Sequence, residues 1–209
     1  MQTATVVSPA RFAQGLTYAD FVSQAAVNRD KFEQYYKEAP ITEGDFQFFR
    51  KAAAAPGGPK KVLAIAEAWC GDVYRELPSM ARIAEASGME LRIFLRDQNP
   101  DIMNEFLSNA GKSRAIPVFV FYTEGLRYIT HFTERSARAH AELAALGDQV
   151  KAELNLPLEA TVSSLPEADR QLFLKTLIPR ILPHFPDWQK DTIREMRQLL
   201  AGTLQISNA

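Results

Sequence analysis

The sequence predicts an α/β fold: a mixed sheet flanked by helices, with helical extensions at both ends of the chain. Three observations carry that expectation. Short apolar runs alternate with helix-period segments through the middle of the chain. Two extended runs, 117–123 and 126–132, are separated only by Glu124-Gly125, as in a hairpin. Helix-period segments also occupy both ends. The order βαβα then ββα implies a mixed sheet with helices on both faces.

The elements follow in chain order. From Thr17 to about Lys37, apolar residues at Tyr18, Phe21, Val22, Ala25, Phe32, Tyr35 and Tyr36 fall at helical spacing, with Thr17 as N-cap. A second helix starts at Thr42, with Asp45 three residues on, and carries Phe46, Phe48 and Phe49. The Phe and Tyr stripe of this region is expected to pack against the sheet. "APGGPKK" (55–61) breaks the pattern as a linker. "KVLAIA" (61–66) reads as a buried strand, 71–86 as a helix, and "ELRIFLR" (90–96) as a half-buried strand. A short helix is expected near 100–110 and a long one from about Glu134 to Leu154. Ser164-Leu165-Pro166-Glu167 resembles a capping box, before a helix that Pro179 and Pro183 interrupt. A last helix is expected from Pro186 to Ala201, ended by Gly202. The divisions are 1–59 (helical extension packed on the core), 60–155 (α/β core) and 156–209 (C-terminal helical extension).

Composition narrows the function. Of 209 residues, 46% are hydrophobic and 23% charged, with a net charge of −1, so neither nucleic acid nor an acidic membrane is an expected partner. No apolar run is long enough to span a bilayer, and the first residues lack a signal-peptide core. One cysteine excludes an internal disulfide and points to a reducing compartment, so a cytoplasmic location is expected. His131, His140 and His184 are scattered and form no metal motif.

That cysteine lies in "EAWCGDVYRELP" (67–78). The strand before it, Trp69-Cys70-Gly71 at a strand-to-helix turn, Pro78 in the helix, Arg114-Ala115-Ile116-Pro117 opening the hairpin, and Gly125 in its turn together resemble the thioredoxin superfamily. The resemblance covers residues 60–150. The Trp-Cys-Gly-Asp variant with its helical N-terminal extension is similar to a bacterial thioredoxin-like branch. It implies a cis peptide at Ile116-Pro117 facing Cys70, and a substrate groove formed by Trp69, Gly71, Asp72, Ile116 and Pro117. It also marks departures. Val73 stands where the resolving cysteine belongs, Asp72 replaces the turn proline, and Ala64 replaces a buried carboxylate. Helices replace the family's N-terminal strand.

At a helix N-terminus, the dipole and unpaired N–H groups favour the Cys70 thiolate, and Asp72 opposes it. The bland alternative is an inert, buried Cys70. Val73 reads as core packing, so a mixed disulfide on Cys70 requires an external thiol. Trp69 is expected half in the core and half on the rim. Glu67 either approaches the thiol or ends its strand in solvent. Arg75 and Arg114 either flank the site and bind a carboxylate of a small thiol or are solvated, and the solvated reading is preferred for both. Three functions are open. The first is monothiol thiol–disulfide exchange with a protein or small-molecule disulfide or thiol, needing no cofactor. The second is a non-catalytic module binding a protein or peptide. The third is a peroxide-reducing or thiol-transferase enzyme using Cys70 alone. The sequence sets no oligomeric state.

Overall fold

A computed structural model describes residues 5–208. Four strands form its sheet: β1 (Lys61–Ala66), β2 (Glu90–Leu95), β3 (Val118–Tyr122) and β4 (Tyr128–Thr133). The spatial order is β2-β1-β3-β4. β1 pairs parallel with β2 and antiparallel with β3, which pairs antiparallel with β4. Val62 to Ala66 and all of β3 are buried, which explains continuous apolar runs where a half-solvated strand would alternate. Leu16 adds a single antiparallel bridge to Ile93 at the outer edge of β2, the only residue of the N-terminal region that does so among the described residues.

Nine helices accompany the sheet among the described residues: α1 (Pro9–Phe12), α2 (Tyr18–Gln24), α3 (Arg29–Glu38), α4 (Glu43–Ala54), α5 (Gly71–Ser87), α6 (Pro100–Asn104), α7 (Ala137–Glu153), α8 (Glu167–Ile181) and α9 (Phe185–Leu204). None is long and apolar enough to cross a membrane. α5 connects β1 to β2 and ends at Gly88, whose φ of +69° suits a residue without a Cβ. The aromatic N-terminal helices do not all reach the sheet. α3 and α4 lie on α5, with Phe32 edge-on to Tyr74 and Tyr35 stacked on it. Phe21, Phe32, Phe48 and Phe49 join the same apolar core as β1 and β3. α9 bridges α4, α5 and β4, and Arg197 Nη1 pairs with Asp45 Oδ1 at 2.8 Å.

Several boundaries differ from expectation. The helix from Thr17 to Lys37 is two helices, because Asn28 takes φ +59° and donates its side-chain amide to Ala68 O. Thr17 does cap α2, and Thr42 with Asp45 forms a complete capping box on α4. Left-handed Leu126 (φ +57°) delays β4 to Tyr128. Ser164 caps nothing: it belongs to a 3-10 turn, Val162–Ser164, and its hydroxyl donates to Thr161 O, while Pro166 precedes α8 without a side-chain cap. Pro179 lies inside α8, and the break comes in the 3-10 turn Leu182–His184, which holds Pro183. Gly202 lies inside α9, and Gln205 takes the left-handed cap instead.

Candidate functional site

Cys70 is the N-cap residue of α5, immediately after the β1-to-α5 turn. Its backbone is extended (φ −81°, ψ 128°), and no side chain caps the helix. The sulfur therefore lies among first-turn N–H groups that lack intrahelical partners. Sγ donates to Ile116 O across 3.7 Å. The Ile116-Pro117 peptide is cis, and it enters β3 just before the ladder begins at Val118. Glu134 N donates to Pro117 O at 2.7 Å, tying this turn to the end of β4.

The remaining sequence-predicted residues separate into two groups. Trp69 and Gly71 flank the thiol along the chain, and Asp72, Ile116 and Pro117 complete the cluster. Trp69 is 53% exposed, so it is rim rather than half core, and the Arg96 guanidinium stacks 4.9 Å from its ring. Two clefts of about 370 and 380 Å³ share it as a lining residue. Val73 and Ala64, by contrast, are wholly buried in the apolar core. Glu67 does not approach the thiol: its Oε1 accepts from Asp97 N at 2.9 Å. Arg114 is exposed.

Arg75 is the largest correction. It is 2% exposed rather than solvated, and it forms the centre of an ionic network. Its Nη2 donates to Asp72 Oδ1 at 2.5 Å and its Nε to Glu76 Oε1 at 2.6 Å. Arg135 pairs with the other oxygen of Asp72 and with Glu134. Gln189 of α9 donates to Arg75 O at 2.7 Å. Burial forces this pairing, since a lone buried guanidinium is far costlier than a bonded one. Sequence reasoning missed Arg135, Glu76 and Gln189. Only the i,i+3 spacing of Asp72 and Arg75 carried a signal.

The electrostatics of the thiol also depart from expectation. Burial pushes the Cys70 thiol above its ordinary pKa, and Asp72 adds to the rise. Backbone N–H groups of Val73 and Asp72, with the Arg135 cation, pull it down without prevailing. Glu76, fully buried behind Asp72, is pushed up to about 7 by burial, against the pull of Arg75 and Thr192. Among the described residues, no cluster of three His, Cys, Asp or Glu could hold a metal ion.

Comparison with known proteins agrees with this geometry. The family model described as Thioredoxin matches residues 15–151. A crystal structure of a protein of unknown function from Pseudomonas aeruginosa is similar, with 16% identity over 94% of this chain and 99% of that one, and a TM-score of 0.59. A crystal structure of an HIV epitope-scaffold is similar at 16% identity and the same coverages, with a TM-score of 0.57. Such low identity speaks for the fold alone. No curated protein matches the chain.

Proposed function

This chain belongs to the thioredoxin family, and on that premise we propose that it works in thiol–disulfide exchange through one reactive cysteine, Cys70. The observation that carries the reading is the position of Sγ: at the N-terminus of α5, 3.7 Å from the Ile116 carbonyl that precedes cis Pro117. Cys70 loses its proton to solvent, and the thiolate attacks one sulfur of a partner disulfide. A Cys70–partner disulfide forms as the old S–S bond breaks, and the departing thiolate takes up a proton. With Val73 where a second sulfur would be, an external thiolate must attack the mixed disulfide. It leaves with the partner in a new disulfide and frees Cys70.

Three groups serve this step. First-turn N–H groups stabilise the thiolate. The two arginines on Asp72 offset its repulsion. The Trp69, Gly71, Asp72, Ile116 and Pro117 surface receives the substrate, with the Ile116 backbone outside the β3 ladder and able to pair with an extended chain. The chemistry requires no metal or organic cofactor, and it suits the reducing cytoplasm of a bacterium. The test is incubation with excess oxidised glutathione at pH 8, read by intact mass. One glutathione adduct is expected on the wild type and none on Cys70→Ser, with reduced glutathione removing it. No adduct on the wild type sinks the reading.

A second reading is a non-catalytic module that binds a peptide on the same surface. The raised thiol pKa favours it, because a protonated sulfur is a poor nucleophile. The absence of an adduct would select it.

A further inference from the structure

The cleft on the α8 side of Trp69 has chemistry that the exchange reaction alone does not explain. Trp69 and Gly71, the chain neighbours of Cys70, form one wall. The C-terminal helices supply the other: Leu143 of α7, Leu174, Ile178 and Ile181 of α8, and Trp188 of α9. The volume is about 380 Å³. That suits one or two side chains rather than a folded domain, since sites for drug-sized ligands run from roughly 300 to 1,000 Å³. Ile178 is 44% and Leu174 37% exposed. Large apolar groups left in water around one concavity mark a binding surface.

The charges select the occupant further. Asp72 and Arg75 reach the cleft, but they are paired with each other and with neighbours below it. Lys31 is different. Its ammonium lies 4.5 Å from the Tyr74 ring centroid at the cleft, and among the described residues it makes no ion pair. One uncompensated cation beside an apolar bowl complements an apolar group that carries one negative charge close by. It is too little positive charge for an anionic membrane surface, which needs a cluster of Lys and Arg.

We propose that this cleft is a subsite for an extended peptide, taking one bulky apolar side chain next to the residue that meets Cys70, with an acidic residue of the same peptide reaching Lys31. The proposal rests on the reading that the Cys70 surface receives a protein or peptide. It does not rest on the sulfur chemistry, so a peptide without sulfur tests it separately.

The probes are fluorescein-labelled octapeptides with Ser at the central position, Phe beside it and Glu two residues beyond, read by fluorescence anisotropy against the full chain. The Phe-Glu peptide is expected to bind, and replacing its Phe with Ser to weaken binding roughly tenfold, the order expected for one buried aromatic side chain. Ile178→Asp and Leu174→Asp, both at exposed positions, are each expected to weaken it to a similar degree while the far-ultraviolet dichroism spectrum stays that of the wild type. Lys31→Glu is expected to reverse the preference between the Glu peptide and its Glu-to-Lys counterpart. Equal binding of all peptides, no binding at millimolar peptide, or variants of unchanged affinity would overturn the proposal. A glutathione adduct without peptide discrimination removes the subsite and leaves exchange standing. Discrimination without an adduct does the reverse.

Discussion

Asp72 and Arg75, one helical turn apart at the start of α5, are joined by a 2.5 Å bond from Nη2 to Oδ1, and Arg75 is almost fully buried. The carboxylate two residues after Cys70 is thus held by a buried guanidinium. Arg135 holds its other oxygen. The site has a built-in opposition, because the charge that raises the thiol pKa is itself anchored by two cations.

Asp72→Asn should therefore lower the Cys70 pKa. The substitution removes the repelling charge of Asp72 and leaves Arg135 to favour the thiolate, so both effects act in one direction. Iodoacetamide alkylation at pH 7 is expected to be severalfold faster than in the wild type. A cost in stability of about 1–3 kcal/mol is expected from the weakened buried bonds. An alkylation rate equal to or below that of the wild type would show that Asp72 does not control the thiol.

Glu76 makes stability depend on pH. Burial raises its folded-state pKa to about 7, above its ordinary value of 4.5. Between those values the folded state binds the extra proton, so this group's contribution is complete below about pH 4.5. It is lost as pH rises through about 7, with a ceiling of roughly 3 kcal/mol at 1.36 kcal/mol per pH unit. His131, held below its ordinary pKa by burial, acts oppositely in part of the same window. The difference between the wild type and Glu76→Gln isolates Glu76. In urea melts from pH 4.5 to 8, the variant's advantage over the wild type is expected to grow with pH. A constant difference would rule out this titration.

Much of this architecture was legible because it rests on local signals. The β1 apolar run, the helix start at Thr42 with Asp45 three residues on, and Ile116-Pro117 before β3 each occupy a few adjacent residues and came out as read. The Arg75 network did not, because what buries Arg75 comes from far along the chain. Gln189, whose side-chain amide donates to the Arg75 carbonyl, is more than a hundred residues away. Asn28 shows the other kind of miss. The apolar period runs through Ala25 and resumes at Phe32, but the left-handed backbone of Asn28 between them is fixed by its bond to Ala68 beside the site. Gly202 failed as a stop signal because a glycine within a turn of the helix end can be carried inside it.

The N-terminal helices should contribute to stability through particular rings. Phe49 is fully buried in the common core, while Phe46 of the same helix is only partly buried, with the Arg50 and Arg82 guanidinium groups over its ring. Phe49→Ala is expected to cost about 3–5 kcal/mol, a fall in melting temperature on the order of 10 °C for a chain of this size. Phe46→Ala should cost well under half of that. Equal costs would mean that the N-terminal helices are held by something other than this core.

Val73→Cys tests the departure that sets this chain apart from dithiol members of its family. Val73 lies three residues after Cys70, across the first turn of α5, where side chains face each other. Tyr74 N donates to Cys70 O at 3.2 Å, so the turn is already closed. A cysteine is smaller than valine and fits a wholly buried site without overpacking, at a cost of about 1 kcal/mol for the lost methyl. With oxidised glutathione as the two-electron acceptor, the variant is expected to lose two hydrogen atoms in mass as an intramolecular disulfide forms. Its reduced form should then release reduced partner in a single turnover with no thiol added, by closing its own disulfide, whereas the wild type should stop at the mixed disulfide. That release should be slower than from a dithiol thioredoxin. Ala64, buried on β1, supplies no carboxylate to take the proton from the second thiol. Adding that group in Val73→Cys/Ala64→Asp is expected to speed the release, provided the double variant keeps a native near-ultraviolet dichroism spectrum. A Val73→Cys protein that stays fully reduced under oxidising conditions would show that the two sulfurs do not meet, and together with a Cys70 that alkylates no faster than an unstructured cysteine peptide it would select the binding module.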